Sequence, residues 1–419
     1  MMKKVCVVGL GYIGLPTAGL LASKGFKVHG VDVNESAVET INKGNIHIYE
    51  PDLDKLIKKV VESGNLVAST NPEEADIYIL AVPTPFKEGR KPDLTYVEEA
   101  TKAIVPYIQA GNIVILESTS PVGTTEKIAN WIMEGRSDLT INGENNIYVA
   151  HCPERVLPGH ILRELVENDR IVGGINEESS IKTVDFYNTF VTGKVLKTSA
   201  KTAELAKLTE NSFRDVNIAF ANELSMICDK LDINVWELIE LANHHPRVNI
   251  LQPGPGVGGH CIAVDPWFIV DAAPEESKLI YTARNVNDFK PHYVINKVKE
   301  LAKDEVRTVA CLGITFKADI DDLRESPSLD IVSRLAREEK YILNIVEPNI
   351  DRLPEVLDVK NANLCDLKNA LSNSDIVLVL VDHKDFKQMD QRLLNDKIVI
   401  DTKGLLEGIE CKDKLLSTI

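Results

Sequence analysis

Short hydrophobic runs alternate with segments of helical periodicity over the first third of the chain. The run KKVCVVGLGYIG, residues 3–14, is rich in β-branched residues and contains three glycines, and apolar residues then recur at helical spacing up to Gly25. A second run, FKVHGVDVN at residues 26–34, leads to Asp32. The order of strand, glycines, helix, strand and acidic residue is typical of a dinucleotide-binding βαβ unit.

The glycines and the acidic residue also predict the cofactor. Glycines let a pyrophosphate approach the backbone at the N-terminus of the helix. A carboxylate at the end of the second strand can bind both ribose hydroxyls and would repel a 2′-phosphate, which favours NAD over NADP. The predicted contacts in this unit are Gly9, Gly11, Tyr12, Ile13, Gly14 and Asp32.

Two further hydrophobic runs predict strands whose following loops reach the same ligand. They cover residues 77–82 and 113–117, and the loops after them contain Thr84 and Thr119. Loops at the carboxyl ends of parallel strands line the ligand crevice of an open α/β sheet, so both threonines are candidate cofactor contacts. An ordinary turn role is an equally good interpretation of each.

A segment without glycine at residues 200–231 predicts one long central helix, and a short helix is predicted around residues 236–242. In the long helix Lys207, Asn211 and Arg214 are spaced by four and three residues and share one face. A cation, an amide and a guanidinium suit an anionic ligand. The alternative is a solvated face on which Lys207 forms a weak surface ion pair with Glu204.

The last third of the chain repeats the alternation of strand and helix without the glycine pattern. Gly313 follows the first of these strands alone, so we do not expect a second dinucleotide site of the standard form. Lys317, Arg324 and Lys403 fall in predicted loops, where they could reach a ligand between α/β domains. The prediction is an α/β fold with two Rossmann-like, doubly wound domains joined by a central helical region. The predicted domains are residues 1–195, 196–300 and 301–419.

A glycine-rich segment, GPGVGGHCIAVDPWF at residues 254–268, contains the most reactive candidate, Cys261. Glycines let the backbone approach a ligand closely, and a thiol at the end of such a loop can attack a substrate carbon. Asp265 follows four residues later. The competing interpretation is a small buried cysteine after a glycine turn.

Composition disfavours several classes of partner. The formal net charge of −16 disfavours nucleic acid and anionic membranes, so an anionic ligand requires a locally basic site. The seven cysteines show no CxxC or cysteine–histidine spacing, and we expect neither structural disulfides nor a metal site. The sequence shows no signal peptide or membrane span, which predicts a cytoplasmic protein.

Motifs of one family are distributed along nearly the whole chain. They are GLGYIG, VPTP, STSPVGTT, CPERV, ELAKLTEN, GGHC with Asp265, and FKADIDDLRESP. Together they resemble the UDP-glucose/GDP-mannose dehydrogenase family. The resemblance implies an NAD-binding domain, a central dimerisation region that carries the catalytic lysine and cysteine, and a C-terminal nucleotide-sugar domain. It also implies that a homodimer or homotetramer oxidises a sugar C6 hydroxyl to a carboxylate with two NAD.

Three segments resemble the family members that act on UDP-N-acetyl-D-mannosamine. They are PERVLPGH at 153–160, HHPRVN at 244–249 and GGHCIAVDPWF at 258–268. Members specific for UDP-glucose commonly have lysine where this chain has Val264. Members specific for UDP-N-acetylglucosamine share GGHC and the following DP, so UDP-N-acetylglucosamine and UDP-glucose stay open as alternatives. The implied product is a precursor of surface polysaccharide or another glycan.

The resemblance assigns catalytic roles in this four-electron oxidation. Lys207 would act as acid and base at the hydroxyl, and Cys261 would form a thiohemiacetal and then a thioester. Asn211 and the charged Lys207 would stabilise the oxyanions. Either Asp265 or Glu154 would activate the hydrolytic water.

The resemblance assigns a larger group of residues to ligand binding. Its basic members would neutralise the diphosphate, and arginine suits phosphate because it can form two parallel hydrogen bonds. Arg324 is assigned to NAD, and Lys403 stands where relatives often have arginine. The predicted substrate contacts are Arg155, Val156, Lys207, Asn211, Arg214, His245, Arg247, Gly258, Phe316, Lys317 and Lys403.

Two other functions remain compatible with parts of the pattern. β-Hydroxyacid dehydrogenases share the Rossmann unit, a long helix and a catalytic lysine followed by asparagine, but their two-electron oxidation needs no cysteine. A non-catalytic NAD-binding or sensing protein would keep the fold alone. The complete set of predicted catalytic residues argues against the second of these.

Overall fold

The computed structural model describes residues 3–157, 159–259, 261–303, 305–406 and 416–419 of the 419-residue chain. Within this part the chain forms two compact units. The first unit consists of Met1–Glu210 and Trp267–Pro274, and the second of Asn211–Pro266 and Glu275–Ile419. Pro158 and His260 of two motifs lie outside the described residues, as do Asp304 and residues 407–415 of the predicted C-terminal domain.

A largely parallel sheet with helices on its faces forms the first unit. Its strands are β1 (Lys4–Val8), β2 (Lys27–Val31), β3 (Leu66–Ser69), β4 (Ile77–Leu80), β5 (Ile113–Leu116), β6 (Tyr148–His151), β7 (Arg170–Gly174) and β8 (Val195–Ser199). Its helices are α1 (Gly14–Ser23), α2 (Glu35–Asn42), α3 (Leu53–Glu62), α4 (Thr95–Ile104), α5 (Thr124–Gly135), α6 (Ile161–Glu167) and α7 (Glu177–Tyr187). Over the described residues the strand order is β3-β2-β1-β4-β5-β6-β7-β8, and only β6 and β7 pair in antiparallel fashion.

The central strand β1 shows why these short hydrophobic runs form strands. Side chains alternate between the two faces of a sheet. Val5 and Val7 lie in one hydrophobic core, while Cys6 and Val8 lie in another. Because helices cover both faces, the strand has to be apolar throughout, as in other parallel sheets. The predicted α/β class and the first βαβ unit are confirmed.

The second unit combines helices with a second, parallel sheet. Helix α8 (Ala200–Leu231) starts in the first unit and ends in the second, and it confirms the predicted long helix. The other helices of this unit are α9 (Val235–Asn243), α11 (Lys278–Ala302), α12 (Pro327–Ala336) and α13 (Leu367–Ser372), whereas α10 (Asp265–Ala272) starts in this unit and continues into the segment Trp267–Pro274 of the first. The strands are β9 (Arg307–Leu312), β10 (Tyr341–Val346), β11 (Ala362–Leu364), β12 (Ile376–Val379), β13 (Ile398–Asp401) and β14 (Leu416–Thr418).

The two sheets begin with the same topology. In the described part of the chain the second sheet has the order β11-β10-β9-β12-β13-β14, so its first five positions repeat the order β3-β2-β1-β4-β5. Gly9 and Gly313 follow the first strand of each sheet with φ of 91° and 90°, a conformation that favours glycine. The two predicted Rossmann-like domains are therefore confirmed as folds, while the three predicted boundaries stay a prediction. No helix among the described residues combines the length and apolar character that crossing a membrane requires.

Helix α5 begins at a carboxylate that α8 supplies. Glu204 is fully buried and accepts hydrogen bonds from the N–H groups of Gly123, at 2.6 Å, and Thr125, at 2.8 Å, and from the Thr125 hydroxyl, at 2.6 Å. The first N–H groups of a helix have no partner within the helix, and an anion there is favourable. The alternative of a surface ion pair between Glu204 and Lys207 is therefore wrong, because these donors hold the carboxylate inside the unit.

We expect Glu204→Ala to lower the free energy of unfolding by about 2–4 kcal/mol, because it leaves two N–H donors buried without an acceptor. Urea unfolding followed by circular dichroism measures this change. Glu126→Ala is the matched control, since Glu126 lies in the first turn of α5 and forms an exposed ion pair with Lys201 of α8. Equal unfolding midpoints for the two variants would contradict the interpretation.

Candidate active site

The glycines after β1 form a tight loop with an open position. A Cβ on Gly9 would lie 2.4 Å from the carbonyl oxygen of Ala81, and one on Gly14 would lie 1.8 Å from that of Gly9. A Cβ on Gly11 would meet nothing within 4 Å. The first and third glycines are therefore required by packing, whereas the second leaves space at the start of α1. This arrangement fits the pyrophosphate of NAD.

The acidic residue after β2 is fixed beside this loop. The carboxylate of Asp32 is half-buried and accepts a hydrogen bond from the N–H of Leu10 at 2.9 Å. Tyr12 is exposed, and Ile13 is the residue before α1. The residues predicted for the ribose and the pyrophosphate therefore lie in one place.

The second sheet has an acidic residue at the equivalent position, which sequence reasoning missed. Glu347 follows β10, and its carboxylate accepts a hydrogen bond from the N–H of Ile314 at 2.8 Å. Unlike Asp32 it is buried, and it forms an ion pair with His383 at 3.1 Å. Burial alone would raise the pKa of the Glu347 carboxyl. The hydrogen bond from the Ile314 N–H and the contact with His383 outweigh this effect and lower the pKa. In the sequence, the run NIVEP places this glutamate at the end of a hydrophobic strand, and that pattern could have revealed it.

The loops after β4 and β5 are joined directly. The hydroxyl of Thr84 donates to the carbonyl oxygen of Thr119 at 2.5 Å, and that of Ser118 donates to the carbonyl oxygen of Val82 at 2.6 Å. The structure thus brings the two predicted threonines together. Their contact with NAD stays a prediction.

Lys207 lies on a stretch of α8 that is held at two points. Glu204, three residues before it, caps α5, and Glu210, three residues after it, pairs with Arg155 at 2.8 Å. Arg155 also donates to the carbonyl oxygen of Asp169 at 3.1 Å. The Lys207 side chain is half-buried and forms no hydrogen bond or ion pair with the described residues. The backbone is fixed while the ammonium group stays available for chemistry.

Glu154 is held by a buried arginine that the sequence did not reveal. Its carboxylate lies 3.1 Å from the guanidinium of Arg170 and accepts a hydrogen bond from the N–H of Arg155 at 2.7 Å. Both contacts fix the position of the Glu154 carboxyl group. Next to it, Val156 packs against the core of the first unit.

In the second unit, the predicted nucleophile stands at the start of a helical turn. Cys261 is exposed, and its carbonyl oxygen accepts hydrogen bonds from the N–H groups of Val264, at 3.0 Å, and Asp265, at 2.8 Å. Asp265 is 3% exposed and accepts a hydrogen bond from the Asn211 amide at 2.5 Å. The interpretation of Cys261 as a buried cysteine is wrong, because the turn directs the chain outwards at this residue.

The other described cysteines have a different environment. Burial raises the pKa of the Cys6, Cys152 and Cys311 thiols to about 12. Burial also raises the pKa of Cys228 and of Cys365. Thiolates are the nucleophilic form, so these five thiols are unreactive by comparison.

The glycine loop packs against the loop after β9. A Cβ on Gly258 would lie 2.7 Å from the Cβ of Phe316. The N–H of Gly259 donates to the carbonyl oxygen of Arg324 at 3.3 Å. These contacts bring together two predicted substrate residues, Gly258 and Phe316. The guanidinium of Arg324 pairs with Asp322 at 2.6 Å, and its assignment to NAD stays a prediction.

The remaining basic candidates of the second unit are less constrained. The ammonium of Lys403 lies 3.5 Å from Asp382. Arg214, Arg247 and Lys317 are exposed and form no ion pair within the described part of the chain. His245 is also exposed, and its ring accepts a hydrogen bond from the N–H of Arg247 at 3.3 Å. Their roles in substrate binding stay predictions.

Comparison with known proteins agrees with this geometry. Models of the UDP-glucose/GDP-mannose dehydrogenase family match in succession: the NAD-binding domain at residues 3–191, the central domain at 201–289 and the UDP-binding domain at 310–408. The chain is 59% identical to a UDP-N-acetyl-D-mannosamine dehydrogenase of Campylobacter jejuni, covering 95% of this chain and 98% of the relative. It is 57% identical to an NDP-N-acetyl-D-galactosaminuronic acid dehydrogenase of Ralstonia solanacearum, covering 96% of each.

A solved structure shows the same fold over the full length. The UDP-N-acetyl-mannosamine dehydrogenase of Pyrococcus horikoshii is 35% identical and superposes with a TM-score of 0.89 over 99% of both chains. The cofactor loop, the NAD-binding and UDP-binding domain matches and these full-length relatives lead to one conclusion. The chain belongs to the UDP-glucose/GDP-mannose dehydrogenase family and is an NAD-dependent nucleotide-sugar dehydrogenase.

Proposed function

We propose that the enzyme oxidises the C6 hydroxyl of UDP-N-acetyl-D-mannosamine to the carboxylate of UDP-N-acetyl-D-mannosaminuronate. The observation that carries this proposal is the buried hydrogen bond between Asn211 and Asp265 one turn from the exposed thiol of Cys261. A thiol beside a fixed amide donor suits a reaction that passes through an aldehyde and a thioester. The named activities of the relatives from Campylobacter jejuni and Pyrococcus horikoshii support the choice of sugar.

The first oxidation needs a base at the hydroxyl. NAD, held by the loop after β1 and by Asp32, supplies the hydride acceptor. Lys207 takes the hydroxyl proton, for which a half-buried amine without a fixed partner is suited. The contacts of Glu204 and of Glu210 fix the backbone of this stretch of α8. The Lys207 amine therefore changes position only when its side chain changes rotamer.

The second oxidation needs a covalent adduct, because an aldehyde has no suitable hydride to lose. The thiolate of Cys261 adds to the aldehyde carbon and gives the thiohemiacetal oxyanion. This oxyanion becomes a thioester when the C6 hydrogen leaves as hydride, for which a second NAD would be the acceptor. Asn211 donates one amide hydrogen to Asp265, which fixes the orientation of the amide. Its other amide hydrogen, with the ammonium of Lys207, stabilises the oxyanion.

Hydrolysis completes the reaction and needs a base for water. Asp265 is already an acceptor for Asn211 and serves to position that amide. We assign water activation to Glu154, whose carboxyl group is held in place by its contacts with Arg170 and the Arg155 N–H. Water adds to the acyl carbon, its proton passes to Glu154, and the carbon–sulfur bond breaks to release the Cys261 thiolate.

Exposed cations of the second unit are suited to the diphosphate of the substrate. Arg214, Arg247 and Lys317 combine exposure with the absence of an ion-pair partner in the described chain. At the diphosphate these cations would supply the local positive charge that a protein with a net charge of −16 needs to bind an anionic substrate. We further propose that the enzyme works in the cytoplasm and supplies a uronate precursor for a surface polysaccharide or glycan.

A second candidate substrate is the corresponding galactosamine sugar. The relative from Ralstonia solanacearum, at 57% identity, is named for an N-acetyl-D-galactosaminuronic acid. The two sugars differ only in the orientation of ring substituents, and the same catalytic residues would serve both. Measurement of substrate preference separates them.

A homodimer through α8 is part of this proposal. Phe213, Phe220, Ile227 and Leu231 are exposed and recur along one side of the helix. An apolar groove of about 360 Å³ lies beside the last two. The family resemblance implies a central dimerisation region. We therefore propose that the same helix of a second copy covers this groove. Apolar stripes of this kind are expected to be covered in solution.

The first experiment measures NADH formed per UDP-N-acetyl-D-mannosamine consumed, with UDP-N-acetylgalactosamine, UDP-N-acetylglucosamine and UDP-glucose in parallel. Because the thiol permits a second hydride transfer, we expect a ratio of about two with the mannosamine sugar. A ratio of about one would remove Cys261 from the reaction and favour a two-electron dehydrogenase. Turnover of only another sugar would refute the proposed substrate and keep the mechanism, whereas no turnover of any sugar would favour a non-catalytic protein.

We expect Cys261→Ser to lower acid formation by about three orders of magnitude or more, because the hydroxyl is a far weaker nucleophile than the thiolate. Mass spectrometry of the products with excess NAD measures it. The matched control, Cys365→Ser, changes a half-buried thiol that has no assigned role and should keep full activity. Full acid output from Cys261→Ser would exclude the thioester.

We expect Phe220→Glu to give a smaller species than the unmodified enzyme, because it places a charge in the apolar stripe of α8. Light scattering coupled to gel filtration measures the mass. Phe289→Glu is a control, since Phe289 is similarly exposed but lies on α11. A monomeric unmodified enzyme would refute the dimer.

A further inference from the structure

Two buried carboxyl groups and one buried guanidinium belong to the same cluster of side chains in the first unit. Arg170, Glu154 and Glu117 are 4%, 9% and 1% exposed. Arg170 lies 3.1 Å from Glu154, and its guanidinium carbon lies 5.1 Å from the ring centre of Tyr187. The hydroxyl of Tyr187 donates to Glu117 at 2.7 Å. These side chains form one buried cluster, which we call the Arg170 cluster.

Every element packed against Glu117 contributes a group to this environment. The hydroxyl of Thr17 on α1 donates to its second carboxyl oxygen at 3.4 Å. Tyr187 comes from α7, Arg170 from β7, and the Cys152 thiol from the end of β6. Glu154 follows that strand. The ionisable carboxyl groups of the cluster are therefore Glu117 and Glu154, and its cation is the guanidinium of Arg170.

One positive charge cannot compensate two buried carboxylates, so the cluster favours holding one proton. Glu154 has the direct contact with Arg170 and the hydrogen bond from the N–H of Arg155. Glu117 has only two hydroxyl donors. Burial raises the pKa of Glu117 to about 7, the charge of Glu154 raises it further, and Arg170 opposes both effects. Glu117 therefore holds the shared proton.

We propose that Glu117 is a positioning residue that acts through the Arg170 cluster to set the basicity of Glu154 during thioester hydrolysis. The inference rests on the role assigned to Glu154 above. While Glu117 is protonated, the guanidinium of Arg170 has one carboxylate to compensate, that of Glu154. When Glu117 loses its proton, the added negative charge strengthens the affinity of Glu154 for the proton of water.

The place of Glu117 in the fold makes this coupling useful. It directly precedes Ser118 and Thr119, the loop predicted to contact NAD, and its Thr17 donor lies on α1, the helix whose N-terminus is predicted to bind the pyrophosphate. A change of charge in the cofactor site therefore acts on the proton of Glu117. The Arg170 cluster connects that site to the base.

Infrared titration of the intact enzyme without substrate tests the shared proton. We expect a C=O stretching band of a protonated carboxylic acid that is absent in Glu117→Gln and disappears with a midpoint of about pH 7 in the unmodified enzyme. Glu154→Gln should move the midpoint to lower pH, because it removes a neighbouring negative charge. Tyr187→Phe should move it to higher pH, because it removes a donor that stabilises the carboxylate. No band assignable to Glu117, or a midpoint unaffected by Glu154→Gln, would overturn the inference.

Single-turnover kinetics test the consequence for catalysis. In Glu117→Gln, which mimics the protonated acid, we expect thioester hydrolysis above neutral pH to fall about three- to tenfold, with KM unchanged and without the inflection near neutrality. Glu126→Gln, an exposed glutamate of the same unit, should leave the profile unchanged. Unchanged hydrolysis in Glu117→Gln would overturn the inference. The infrared titration uses no sugar, so a failure of this inference can be told apart from a wrong choice of substrate.

Discussion

The buried carboxylate of Glu204 connects the helix that carries Lys207 to the unit that carries the cofactor loop. In place of water, the carboxylate accepts hydrogen bonds from three donors at the start of α5. Such charge-assisted hydrogen bonds fix both the position and the direction of the side chain. Lys207 lies one turn further along the same helix. A reacting amine has to be placed within about 1 Å, so in the mechanism that we propose Glu204 would set the position of Lys207 without acting on the substrate itself.

The cofactor half of the site could be predicted from the sequence because its signals are local. A strand, three glycines, a helix and Asp32 follow one another within a single βαβ unit, and each has a distinct pattern of residue types. Local patterns of this kind require no knowledge of how distant segments meet.

The residues that position the site could not be found in this way. Glu204 reaches Thr125 across 79 residues and Asn211 reaches Asp265 across 54. In the sequence Glu204 is one more charge on an amphipathic helix, and Arg170 is one more polar residue before a strand. Only the folded chain shows that both are buried, that Glu204 binds the N-terminus of α5 and that Arg170 pairs with Glu154. Conversely, the strand order of the second sheet repeats the first, yet Glu347 is turned into the interior, so a repeated fold does not repeat a ligand site.

The burial of the other described cysteines has a consequence for the life of the enzyme under oxidative stress. Oxidants attack accessible thiolates, and five of the six described thiols are enclosed or only half-exposed, with pKa values raised by burial. Within the described chain an oxidant therefore reaches Cys261 first. Damage would begin at the residue proposed to carry the acyl group, so the flow of uronate would stop before the fold itself was harmed.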